Sequence, residues 1–264
     1  MGQTIACTNQ KGGVGKTTTV VNLATYLALS GDRVLVIDLD PQGNATSGFG
    51  IDRATLDTSI YDALVADRLL SDVHVATPVD GVRVVPSSIA LAGAEVELAG
   101  EAGRERRLGR AIAGERDAWD WVLVDCPPSL GLLTINALTG VDAVLVPIQC
   151  EYYALEGLTQ LVATINLVRD HLNPGLAIAG VVLTMFDART NLSSEVADEV
   201  RRHLGDAVFR TIVPRSVRLS EAPSHGLPIA LYRPDSKGAE AYQALAAELR
   251  ARRRHEPALA GAVA

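Results

Sequence analysis

Three lysines occur in the whole chain, and two of them, Lys11 and Lys16, share one short stretch, Asn9-Gln10-Lys11-Gly12-Gly13-Val14-Gly15-Lys16-Thr17-Thr18. Glycines at this spacing let backbone amides curl around an anion, and a helix opening at the end of the stretch adds the partial positive charge of its N-terminus. In such a cradle Lys16 is placed to reach the β- and γ-phosphates of a nucleotide, and the Thr17 hydroxyl to ligate Mg²⁺. The apolar run Trp121-Val122-Leu123-Val124 ends in Asp125, where a carboxylate would orient a metal-bound water. A third acidic stretch, Asp38-Leu39-Asp40-Pro41-Gln42-Gly43-Asn44, follows another apolar run.

These groups need a scaffold that brings strand ends together. Short β-branched runs at Thr4 to Thr8, Val34 to Asp38, Val82 to Pro86, Trp121 to Asp125, Ala143 to Ile148, Ile178 to Thr184 and Val208 to Val213 read as buried strands. Between them Lys16 to Ser30 stops at Gly31 as a helix should, and Leu155, Leu158, Val162, Ile165 and Val168 repeat on one helical face. The alternation predicts an α/β fold, a mostly parallel twisted sheet with helices on both faces. In that architecture ligands gather at the carboxyl ends of the strands, and all three chemical stretches follow a strand.

Composition sets the outer limits. The chain has 264 residues, 48% of them hydrophobic, enough for one sizeable core. We expect a single domain over residues 1–250 and a frayed tail over 251–264, which holds Arg252-Arg253-Arg254-His255 and then Ala and Gly. Cys7, Cys126 and Cys150 are odd in number and widely spaced, which fits reduced thiols better than disulfides. No apolar run reaches the ~18 residues of a membrane span, and Met1 to Asn9 does not read as a signal peptide, so a cytoplasmic location is expected. The net charge of −7 argues against nucleic acid as a partner, but the average is uneven. Residues 1–188 carry 12 Lys and Arg against 22 Asp and Glu, whereas 189–264 carry 12 against 9.

The ordinary phosphate-loop pattern, G-x-x-x-x-G-K-[ST], would put glycine where this chain has Gln10. Lys11-Gly12-Gly13-Val14-Gly15-Lys16-Thr17-Thr18 instead resembles the deviant Walker A loop of P-loop NTPases such as ParA, MinD and the nitrogenase iron proteins. Asp38 to Gly48, Asp125 to Asn136, Gln149 to Leu158, Leu183 to Leu192 and Pro214 to Pro228 are similar to ParA/Soj chromosome and plasmid partition ATPases. The likeness runs from about Thr4 to Leu249.

That resemblance implies an ATPase with ATP and Mg²⁺ as ligands and weak basal turnover. It implies that Lys11 crosses a nucleotide-sandwich homodimer to the other subunit's phosphates, so Lys11, Lys16 and Asp40 are the catalytic candidates. Asp40 is assigned to positioning the attacking water, with Asp38 as a strand-end residue near the metal shell. Thr17, Asp40 and Asp125 are the metal candidates, the carboxylates acting through water. The nucleotide cradle is Lys11 to Thr18, with Thr184-Met185, Pro214 and Ser216 against the adenine. Ser216 stands where relatives commonly carry asparagine. Arg189 and Arg218 match arginines used on non-specific duplex DNA, with Arg215, Arg233 and Lys237 as further candidates. The implied partner is a ParB/Spo0J-type centromere-binding protein, and the implied place is the nucleoid.

Three other readings remain in view. A MinD-like membrane ATPase would end in an amphipathic membrane helix, but Gly238 to Arg254 has mixed charges and Pro257 to Ala264 has no bulky apolar anchors. A nitrogenase-reductase role needs cysteines that bridge a cluster between subunits, and neither Cys126 nor Cys150 is evidently such a residue. A non-enzymatic DNA-binding module leaves Lys16, Thr17, Asp40 and Asp125 unexplained.

Overall fold

The computed structural model describes residues 2–151 and 154–254. Eight strands form one sheet: β1 (Gln3–Cys7), β2 (Val34–Asp38), β3 (Val75–Ala76), β4 (Val82–Val85), β5 (Trp121–Asp125), β6 (Ala143–Gln149), β7 (Ala177–Phe186) and β8 (Val208–Pro214). Their spatial order is β3-β4-β2-β5-β1-β6-β7-β8. All neighbours run parallel except the edge pair β3 and β4. The sequence reading did not include β3, since two residues leave no periodicity to detect. Strands β2 and β5 have the bounds read from sequence, the others differ by one or two residues at an end, and β7 is the most extended, running to Phe186.

Both faces of this sheet are buried because successive side chains point to opposite sides. Along β2, Leu35 and Ile37 join one apolar cluster while Val34 and Val36 join the other. Strand β5 divides in the same way, Val122 and Val124 from Trp121 and Leu123. The helix Ala154–His171 covers the first cluster through Leu158, Leu161, Ile165 and Val168. Leu161 lay outside the sequence reading of that face and is fully buried; Leu155 has no described side chain.

On the other face the helix Lys16–Leu29 lies between the sheet and the C-terminal helix Lys237–Arg254. Ala239, Tyr242, Leu245, Ala246 and Leu249 form the buried stripe of that last helix, and the Tyr242 hydroxyl bonds Thr19 Oγ1 at 3.2 Å. Its polar residues are equally committed. Glu248 accepts from the backbone amides of Arg210 and Thr211, at 2.9 and 3.0 Å, on the edge strand β8. Arg252 lies 3.9 Å above the Phe209 ring and donates to carbonyls of β7 and β8, while Arg253 stacks on Trp121 and donates to Asp120 O. Arg250 pairs with Asp32 at 3.0 Å.

The helix therefore runs through Arg254, into the stretch expected to fray; residues 255–264 of that expected tail lie outside the described residues. Three of the cations behind the basic character of the C-terminal part hold the fold together. Leu245→Ala should lower the unfolding free energy by about 2–4 kcal/mol, because the cavity it leaves is enclosed. Leu167→Ala, at a position 59% exposed, should change it by less than ~0.5 kcal/mol. Urea denaturation of the two variants checks the contrast.

Candidate active site

Register brings the acidic residues together. Asp38 is paired with Asp125, and Asp125 with Cys7, so β2, β5 and β1 end side by side with both carboxylates fully buried. The glycine-rich loop leaves β1 at that level and enters the helix Lys16–Leu29 through Gly15, whose φ of 90° favours a residue without Cβ. Gly13 has a φ of 74°, and a Cβ there or at Gly12 would project into open space. Asn9 ties the loop to the sheet by donating to Pro147 O at 2.8 Å and accepting from Lys11 N at 3.0 Å. Thr184 closes the far side, its hydroxyl donating to Val14 O at 2.8 Å. The Lys16 side chain is buried, and its Nζ donates to Lys11 O at 3.2 Å, so the ammonium arches over the loop.

Thr17 Oγ1 donates to Asp125 Oδ2 at 2.7 Å, while Asp125 Oδ1 is buried with no hydrogen-bond partner among the described residues. Burial first, and then the Asp38 charge beside it, push the Asp125 carboxyl well above the usual range. Asp38 is pushed up to about 6, burial outweighing the hydrogen bonds from Thr46 and Asp40. Its Oδ2 accepts from Thr46 N and Oγ1, both at 2.7 Å, and its Oδ1 from Asp40 N at 3.3 Å. Asp38 thus holds the following turn, whereas Asp40 sits at its start, 8% exposed, with Oδ1 accepting from Gln42 N at 2.9 Å. Thr46 was not singled out from sequence because its role depends on the turn bringing it back to β2.

Beyond the loop, Thr184, Met185, Pro214 and Ser216 line one cavity of about 180 Å³ together with Gly15 and Thr18. Met185 adopts a φ of 50°, a left-handed backbone uncommon for a side chain of this size and a mark of a constrained site. The residues assigned to the adenine therefore converge with the end of the phosphate loop.

The remaining cations lie outside the loop core. Lys11 pairs with Glu151 at 3.2 Å, and Arg215 reaches the same carboxylate at 3.5 Å. Tyr152 and Tyr153 of that segment lie outside the described residues. Arg189 and Arg218 follow adjacent strands, and Arg215 N bonds Phe186 O at 2.9 Å where the two segments diverge. Each is matched to a nearby acid: Arg189 meets Asp187 at 2.7 Å and Arg218 meets Glu221 at 2.7 Å. Hydrogen bonds from Arg189 hold the Asp187 carboxyl far below its usual range.

Comparison with known proteins identifies the family. A protein-family profile described as an AAA domain, AAA_31, matches residues 2–178. The sporulation initiation inhibitor protein Soj of Bacillus subtilis is 58% identical over 95% of this chain and 99% of its own length. The chromosome partitioning protein ParA of Myxococcus xanthus is 52% identical over 94% and 88%. A solved structure of cobyrinic acid a,c-diamide synthase from Mycobacterium smegmatis, with a bound ATP analog and magnesium, is 38% identical. It superposes with a TM-score of 0.86 over 98% of each chain.

The crowded carboxylates have a thermodynamic signature. A carboxyl whose folded pKa lies above its unfolded value binds protons in the folded chain that the unfolded chain has released. Its stabilising contribution is complete below about pH 4 and is lost as pH rises through about 6 for Asp38. Nucleotide-free protein should therefore lose stability over that window. Asp125→Asn, which removes one buried ionisable group at nearly constant shape, should raise the urea midpoint at pH 7.5 and flatten the dependence. An unchanged or lower midpoint would contradict the assignment of repulsion to this pair.

Proposed function

The chain belongs to the Soj/ParA family of partition ATPases, and from that premise we propose that it is an ATP-driven dimerising switch that binds DNA without sequence preference. The observation that carries the reading is the hydrogen bond from the half-buried Thr17 hydroxyl to the fully buried Asp125 carboxylate, with Thr17 next in sequence to the buried Lys16 at the end of the glycine loop. The partnerless Asp125 Oδ1 next to a threonine hydroxyl suits a hydrated divalent cation, and the open space above Gly12 and Gly13 suits phosphate oxygens. Thr17 would hold Mg²⁺ directly and Asp125 through water. When bound, the ion supplies charge neutralisation across the β- and γ-phosphates.

The protein's own part is placement. Loop amides and Lys16 take the phosphates, and the cavity at Met185, Pro214 and Ser216 takes the adenine. Asp40 orients the attacking water, a role that depends on position more than on basicity in phosphoryl transfer. Lys11 leaves Glu151 and crosses to the nucleotide of a second copy, which makes ATP occupancy a condition for the homodimer. The half-exposed pair with Glu151 costs little to break.

Dimerisation places two sets of Arg189 and Arg218 on one duplex, doubling the phosphate contacts and the counterions released. Asp187 and Glu221 occupy these arginines until a phosphate replaces them. Hydrolysis, stimulated by a ParB/Spo0J-type partner, returns the protein to monomer in the cytoplasm. Arg215, Arg233 and Lys237 are secondary contacts in this scheme. The diamide synthase named above shares the nucleotide fold, but the higher identity to Soj and ParA over nearly full lengths favours partition.

Lys16→Ala should abolish every nucleotide response, whereas Asp40→Ala should bind ATP and accumulate as dimer without turnover, as read by light scattering and phosphate release. Parental turnover by Asp40→Ala would remove it from the mechanism. For DNA, Arg189→Ala should weaken ATP-dependent binding and lower the salt slope by about one per arginine lost. Asp187→Asn should strengthen binding, by up to about fivefold, since it removes a competing surface pair. Fluorescence anisotropy on an arbitrary duplex across a salt series decides both, and no change in either variant rejects this face.

A further inference from the structure

The turn that begins at Asp40 is tied down by groups from elsewhere in the chain. Asp40 O accepts from Ser87 Oγ at 2.6 Å, Pro41 O from Arg53 Nη1 at 3.1 Å, and Gln42 O from the same Nη1 at 2.6 Å. Three consecutive carbonyls are thus held by two side chains. We propose that Arg53, acting with Ser87, is a positioning residue that fixes Asp40 for hydrolysis. The inference rests on the reading of Asp40 as the water-orienting group.

Both anchors are themselves fixed. Ser87 follows β4 and is fully buried, and its amide donates to Thr46 Oγ1 at 3.0 Å, which in turn donates to Asp38. Arg53 opens the short turn Arg53–Thr55, which is capped by Asp52 Oδ1 accepting from Ala54 N at 3.0 Å. Its side chain lies directly on Gly43, where φ is 67° and any Cβ would overlap the guanidinium. A planar guanidinium suits this task, because one nitrogen carries two hydrogens in fixed directions and both are used here. With those hydrogens spent on carbonyls, that nitrogen is not available to a phosphate.

The chemical consequence follows from the sensitivity of oriented reactions to geometry. A displacement of about 1 Å at an orienting group lowers rate by roughly 10²-fold while leaving ground-state binding largely intact. Without the clamp, Asp40 would retain its amide contacts from Gln42 and Asp38 would still hold Thr46. The turn would persist but its outer limb would move. Loss of Arg53 therefore acts on turnover and not on capture of ATP.

The test measures kcat, KM for ATP and affinity for a fluorescent ATP analogue in Arg53→Ala, Arg53→Lys, Ser87→Ala and the Arg53→Ala/Ser87→Ala double variant, with Asp40→Ala alongside. The expected result is a kcat at least about tenfold lower in Arg53→Ala with KM and analogue affinity within about threefold of the parent. Arg53→Lys should recover part of the rate by reaching one carbonyl. The double variant should fall short of the product of the single losses, because both residues hold one turn. Ser87→Ala keeps the amide bond to Thr46 and so carries the test if Arg53→Ala does not fold. A parental kcat in Arg53→Ala and Ser87→Ala, or a loss confined to KM and analogue affinity, overturns the clamp. If Asp40→Ala turns over at the parental rate, the reading of Asp40 falls and the clamp falls with it. If Asp40→Ala is inactive while Arg53→Ala is unimpaired, the clamp alone is lost.

Discussion

Three carboxylates, those of Asp38, Asp40 and Asp125, share a nearly dry space at the ends of parallel strands, and the adjoining structure has to accommodate that charge. The parallel register makes the crowding unavoidable, since β2 and β5 end level with each other. Each acid is handled differently. Asp38 is given over to Thr46, Asp125 to Thr17, and Asp40 to the amide of Gln42, while the buried Lys16 supplies the countercharge. Such a centre lacks its full complement of positive charge without a ligand, so binding a cation and an anion together stabilises the folded state.

Legibility in the sequence tracked how local each function is. The proposed phosphate cradle could be read because its glycines, lysine and threonine are contiguous and follow an apolar run. Asp125 could be read for the same reason. The residues proposed for the adenine needed family resemblance, since Met185 and Ser216 meet only through the adjacency of β7 and β8. Arg53, Ser87 and Thr46 carried no signal, because their partners are backbone carbonyls or a carboxylate reached by a turn that folds back. Charge was the least transferable clue. Arg250, Arg252 and Arg253 raised the basic count of the C-terminal part, yet they grip Asp32, Phe209 and Trp121.

The surface cations obey a different economy from the buried ones. Arg189 is 86% exposed and Arg218 half-exposed, and their acidic neighbours lie within a few residues in sequence. Pairs of this kind are weak in water and exchange readily. For a protein with a net charge of −7, the proposed binding of DNA requires cations hidden from the average but available on demand. Short-range pairing meets both needs.

The three thiols add a final consequence. Cys7 ends β1 and Cys126 immediately follows the adjacent β5, the two belong to opposite apolar layers, and Cys150 follows β6. Burial drives all three thiols away from the reactive thiolate, Cys150 up to about 11 and the other two further still. Alkylating reagents would therefore modify them at the pace of breathing motions around the nucleotide cleft, so the natural cysteines make an intrinsic clock for opening events, readable by mass spectrometry without any introduced label.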